Sequence, residues 1–84
     1  MEQQFARLTE LWHLIQQQPY GQIRRDLLAL WHNADSLRRE MDQESVNCRR
    51  IQRETVRHRE LREQFTEAME FLDQSYTFSL LLRS

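Results

Sequence analysis

Glycine, proline and cysteine each occur once in this sequence, and lysine does not occur at all. A chain with so few turn-forming residues is not built from strands joined by tight turns. The single cysteine, Cys48, excludes an internal disulfide and fits a reducing compartment, so we expect a cytoplasmic protein. The longest uninterrupted apolar run is Leu80–Leu82, whereas a helix needs about 20 residues to span a bilayer. We therefore expect no membrane span.

The abundant residues are good helix formers, namely glutamate, glutamine, arginine and leucine. The chain has 84 residues, and its formal net charge is −1. This composition predicts a single all-α domain over residues 1–84 with a modest core. Chains of this size often gain stability by association with another chain. The nearly balanced charge gives no overall attraction to nucleic acid or to a membrane surface.

The first predicted helix covers about residues 3–18. One face of it is apolar at helical spacing, formed by Phe5, Leu8, Leu11, Trp12 and Ile15. A turn is predicted at 19–21, because Pro19 disfavours helix in the residue before it and Gly21 is conformationally free.

The tripeptide Leu-Trp-His occurs at 11–13 and again at 30–32, at similar distances on either side of this turn. In an antiparallel hairpin of helices, Trp12 and Trp31 would therefore lie at the same level. We expect the two indoles to pack together and to anchor the first helix onto the start of the second.

After the turn, the residues at alternate third and fourth positions form one heptad register that no glycine or proline interrupts. The series is Ile23, Leu27, Leu30, Ala34, Leu37, Met41, Glu44, Cys48, Ile51, Thr55, His58, Arg62, Phe65, Met69, Leu72 and Tyr76. Its unbroken phase favours a helical hairpin with one long, coiled-coil-like helix over about residues 22–80.

The centre of this register is weak, because Glu44, Thr55, His58 and Arg62 are poor residues for an apolar seam. The alternative prediction is a three-helix bundle with a break near 42–47, where Asp42, Ser45 and Asn47 suit caps and turns.

Catalytic and metal-binding patterns are weak in this sequence. No two of the three histidines are spaced as a helical metal pair, and Cys48 lies far from each of them in sequence. A phosphate-binding loop would need several glycines. We therefore expect a protein that is not an enzyme and that uses no metal, cofactor or small-molecule substrate.

An arginine-rich stretch, residues 49–62, carries a local charge of +4, and residues 63–73 that follow it carry −4. On a continuous helix, Arg49, Arg53 and Arg57 share one side, away from the apolar seam. Three interpretations compete: a solvated face, contact with an acidic protein, and contact with nucleic-acid phosphates. An acidic partner could be a second copy, in an antiparallel dimer centred near Arg62, which would oppose the two blocks of charge. Phosphate contact is the least favoured of the three, because the acidic residues 63–73 would repel nucleic acid; the alternative function is a nucleic-acid-associated regulator that contacts phosphates through the Arg49–Arg62 face.

The final stretch, Ser75–Ser84, is the most apolar part of the chain. As a helix it would be apolar all round, and it would need cover on every side. The alternative is that this tail folds back onto the rest of the chain. The favoured hypothesis is a protein–protein interaction module, such as an adaptor, an assembly chaperone or a small subunit, that pairs with a protein partner or with itself. The expected contact residues are Phe65, Met69, Leu72, Tyr76, Phe78, Leu80 and Leu81, with Arg49, Arg53 and Arg57 setting orientation.

Overall fold

In a computed structural model, residues 1–83 are described, and they form three α-helices: α1 (Glu2–Gln16), α2 (Gln22–Ile51) and α3 (Val56–Arg83). That range contains no β-strand, so the all-α prediction is confirmed there. The helices run up, down and up in a bundle measuring 50 × 19 × 16 Å. Ser84, which the predicted domain and tail include, lies outside the described residues.

The first hairpin has nearly the predicted boundaries, since α1 ends at Gln16 and α2 begins at Gln22. The expected pairing of the indoles is confirmed: the rings of Trp12 and Trp31 lie with their centroids 4.5 Å apart. Trp31 also donates its indole N–H to the backbone oxygen of Leu8 at 2.8 Å. The repeated Leu-Trp-His tripeptide therefore holds α1 against α2 by contact between tilted indole rings and by a hydrogen bond.

The predicted single helix over 22–80 is corrected to two helices, which confirms the alternative of a three-helix bundle, but the turn between them lies at 52–55 rather than at 42–47. The residues suspected of breaking the helix instead use their side chains within α2. Ser45 donates to the backbone oxygen of Asp42 at 2.6 Å, and the Asn47 amide donates to Glu44 at 3.2 Å. These local bonds leave the helix intact, because they connect positions three residues apart on the same face.

The turn itself combines a left-handed residue with a side-chain cap. Gln52 adopts φ 60° and ψ 37°, and the N–H of Arg53 donates to Cys48 O at 3.1 Å, which closes the end of α2. Thr55 then caps α3, because its hydroxyl accepts the backbone N–H of His58 at 3.0 Å. The same hydroxyl donates to Glu44 of α2 at 3.0 Å. Thr55 therefore connects both helices at the turn.

The predicted seam folds onto itself within one chain. The buried apolar residues come from all three helices and form one core: Leu8, Leu11, Ile15, Leu27, Ala34, Met41, Leu61, Phe65, Met69, Leu72 and Tyr76. Phe65 is fully buried, and its ring meets that of Phe5 edge to face at 5.4 Å. The core is thus shared by α1, α2 and α3 without a second chain.

Helix α1 is half as long as its neighbours, so it covers only part of the hairpin formed by α2 and α3. Its N-terminal end reaches the level of Asp42 on α2 and Arg62 on α3. Residues 43–61 therefore extend beyond α1 as a two-helix projection that ends in the 52–55 turn.

Candidate functional site

The predicted apolar contact residues divide into two groups. Phe65, Met69, Leu72 and Tyr76 lie in the chain's own core. In this fold they are inaccessible to a partner, because α1 and α2 already cover them. The other three, Phe78, Leu80 and Leu81, are exposed near the end of α3. Only this second group can form an external surface.

Two further residues, outside the predicted contact set, complete this surface. Phe71 is 58% exposed and Leu82 is 61% exposed, close to the 59% of Phe78. Positions 71, 78 and 82 fall on one side of a helix, because seven and eleven residues are close to whole numbers of turns. We call this side the outer face of α3 and define it by Phe71, Gln74, Phe78, Leu81 and Leu82. The predicted contact residue Leu80 is not part of it, because nine residues from Phe71 is two and a half turns and places Leu80 on the opposite side of the helix. The spacing of Phe71 and Phe78 was visible in the sequence, but both lie off the heptad seam.

The opposite side of the same segment is fixed to the bundle. Ser79 is buried, accepts the side-chain amide N–H of Gln18 at 3.1 Å and donates to Tyr76 O at 2.6 Å. The tail that was expected to need cover on every side therefore folds back on one side only. Its outer face is presented on a packed helix, which reduces the entropy lost when another chain binds there.

A shallow groove of about 660 Å³ between α1 and α3 borders the outer face; Phe78 and Leu81 are among its lining residues. Arg7 of α1 crosses this groove and donates to Asp73 of α3 at 2.8 Å. The hydrogen bond to Asp73 raises the pKa of Arg7 above its ordinary value. Because both side chains are partly exposed, the ion pair contributes little to stability; it links α1 to α3 at this groove.

Acidic side chains precede the outer face on the exposed side of α3. Glu60, Glu63, Glu67 and Glu70 are all exposed. Arg57, Arg59 and Arg62 are also exposed in the first half of α3, so a short acidic segment, residues 63–70, lies between these arginines and the outer face. A chain that binds the outer face and extends along α3 meets this acidic segment, so its charge constrains the orientation of that chain.

The predicted arginines gather at the 52–55 turn, and we call Arg49, Arg50, Arg53 and Arg57 the arginine tip. Because the helix ends at Ile51, these residues do not form the single continuous face that was expected. Arg57 pairs with Glu40 at 3.2 Å, whereas Arg49, Arg50 and Arg53 have no carboxylate within 4.0 Å among residues 1–83. Arg49 and Arg50 lie in the last turn of α2, where the helix dipole favours positive charge.

Glu54 balances part of the positive charge at the turn. Its carboxylate lies 3.0 Å from the Nδ1 of His58 and 3.2 Å from Arg62. The hydrogen bond with His58 lowers the pKa of Glu54, and the nearby Arg62 lowers it further. Glu54 therefore offsets charge on the α3 side of the turn, away from Arg49 and Arg50.

The described residues contain no group of three or more His, Cys, Asp or Glu side chains placed to hold a metal ion. Within the same range, no helix combines the length and the apolar character that crossing a membrane requires. Comparison with protein-family models, with curated proteins and with solved structures found no match to this chain.

Proposed function

We propose that this chain is a non-enzymatic protein–protein interaction module whose binding surface is the outer face of α3. The observation that carries the proposal is the alignment of Phe71, Phe78 and Leu82 on one side of a packed helix, each more than half exposed. Monomeric proteins rarely expose a contiguous group of large apolar side chains unless it binds something. An adaptor, an assembly chaperone or a small subunit of a complex would use such a surface.

The chemistry of the surface favours a protein partner that presents an apolar face, such as an amphipathic helix. Phenylalanine is enriched at interfaces, and burying one such side chain contributes about 1.5–3 kcal/mol. The adjacent Glu67 and Glu70 remain in water and would orient the partner through charge. This arrangement, an apolar centre with a polar rim, is typical of protein interfaces.

Site-specific photocrosslinking in cells tests this proposal. Benzoylphenylalanine placed at position 78 should form a covalent adduct with another polypeptide chain, because the outer face holds that chain in contact. The matched control places the same residue at Val56, which is similarly exposed but lies at the other end of α3. Adducts are measured by immunoblot and identified by mass spectrometry.

An adduct at 78 that is absent at 56 supports the proposal, whether the captured chain is another protein or a second copy. Equal yields at both positions, or no adduct at 78, would contradict it. Circular dichroism of both variants confirms that the helices are retained.

We propose nucleic-acid binding by the arginine tip as a second candidate function. It is favoured by one observation: Arg49, Arg50 and Arg53 are exposed and have no carboxylate partner among the described residues. Arginine is suited to phosphate because its guanidinium donates several hydrogen bonds in a fixed geometry.

Fluorescence anisotropy with short DNA and RNA duplexes and single strands tests the second candidate. If three arginines contact phosphates, affinity should fall roughly 40-fold between 50 and 200 mM salt. The double substitution Arg49→Gln with Arg53→Gln should flatten that dependence, while Arg25→Gln, far from the tip, should not. No binding in 50 mM salt would remove this candidate.

A further inference from the structure

We infer that the partner of the outer face is a second copy of this chain, bound in an antiparallel dimer whose twofold axis passes near Tyr76. The inference rests on the proposed function and adds the identity and orientation of the partner. It replaces the antiparallel dimer centred near Arg62, one of the possibilities that the sequence raised, which required one continuous helix through the 52–55 turn. Here the two α3 helices pair through surfaces that the monomer leaves exposed.

The outer face is complementary to itself in this orientation. With the axis at position 76, Phe71 lies opposite Leu81 of the other copy, and Gln74 lies opposite Phe78. Each of the four layers then combines one phenylalanine with one smaller side chain. A parallel pair would instead set Phe71 on Phe71 and Gln74 on Gln74, which gives uneven layers and opposes two polar amides.

Charge along α3 favours the same orientation. In a parallel dimer Glu63, Glu67 and Glu70 would each lie about 10 Å from the identical residue of the other helix. In the antiparallel dimer the same pairs are separated along the axis by about 39, 27 and 18 Å. These distances exceed the Debye length of about 8 Å at physiological salt, so the repulsion is screened.

The size of the contact sets the expected affinity. Two helices that meet over about three turns, with three large apolar side chains of each copy in the layers, bury on the order of 1,000 Å² in total. This is at the low end for specific interfaces, so the dissociation constant should lie in the micromolar range. The chain is then a monomer when dilute and a dimer when concentrated.

Sedimentation equilibrium from low micromolar to millimolar concentration tests self-association. The mass should rise from the 10.4 kDa of one chain toward twice that value. The double substitution Phe71→Ser with Phe78→Ser should weaken dimerisation about 100-fold or more, because four phenylalanines leave the interface. The control Val46→Ser with Val56→Ser, at exposed positions of the two-helix projection, should leave it unchanged.

Pulsed electron paramagnetic resonance, which measures the distance between two spin labels, tests the relative orientation of the two α3 helices in the dimer. A label at Glu63→Cys, in a Cys48→Ser background, should give a distance of about 40 Å in the antiparallel dimer and about 10–15 Å in a parallel one. The long distance supports the inference, and the short one overturns it. A chain that stays monomeric at millimolar concentration also overturns it. In that case, a photocrosslink from position 78 to a different protein would leave the proposed function standing.

Discussion

Replacing Phe65 with alanine should lower the free energy of unfolding by about 3–5 kcal/mol. Phe65 is 0% exposed, contacts the ring of Phe5 and belongs to the core to which all three helices contribute. Its loss removes buried apolar area and leaves a cavity that the rigid helices fill only in part. Because a domain of this size is only marginally stable, we expect much of the variant to be unfolded at 37 °C.

Phe71→Ala provides a matched control, because it makes the same change on the same helix at an exposed position. It should alter stability by less than about 0.5 kcal/mol. Urea unfolding followed by circular dichroism, at low protein concentration so that association does not contribute, measures both variants. Similar losses for Phe65→Ala and Phe71→Ala would show that α3 is rotated relative to the arrangement described above.

Thr55→Ala should destabilise the protein by about 1–2 kcal/mol, near the upper end for an N-cap. The hydroxyl of Thr55 accepts the N–H of His58 and donates to Glu44, so its removal affects α3 and the contact with α2 together. Thr55→Ser keeps the hydroxyl and should cost little. Thermal unfolding monitored by circular dichroism compares the two.

Thr77→Ala serves as the reference, since Thr77 is exposed and lies well inside α3. It should leave stability nearly unchanged or raise it slightly, because alanine is the better helix former. If Thr55→Ala and Thr77→Ala behaved alike, the cap at 52–55 would not be a significant source of stability.

The turn at 52–55 was not predictable from periodicity. A heptad register identifies the residues that face a seam, but the other side of that seam can come from the same chain or from another. Here Glu44 and Thr55, both predicted seam positions, face each other across the turn within one molecule. The register therefore continues through a break in the helix.

Helix-capping preferences also did not predict the turn at 52–55. Helix ends of this kind usually carry glycine in the left-handed position, but Gln52 occupies it. Thr55 is a good cap residue, yet His58 stands where a capping box would have glutamate or glutamine. By contrast, Pro19 and Gly21 are strong signals, and the first turn was predicted within two residues at each end.

The surface was predictable only in part, for a related reason. Phe78, Leu80 and Leu81 were selected because an apolar tail stands out in composition, and they are exposed. The heptad pattern did not predict Phe71 as a contact residue, because Phe71 lies outside the seam and its neighbours in sequence form the core. The exposure of a side chain on α3 depends on which side of that helix packs against α1 and α2. The spacing of apolar residues in the sequence does not determine that side by itself.

The short length of α1 divides the molecule into a three-helix body and the two-helix projection. Backbone amides near 43–61 have fewer apolar neighbours above them, so fluctuations that break their hydrogen bonds need less energy there than beside Phe65. Local unfolding can begin in the projection and stop where α1 joins the bundle. A ligand that binds the projection would thus reduce the motion of residues 43–61 while leaving the far end of α3 in place.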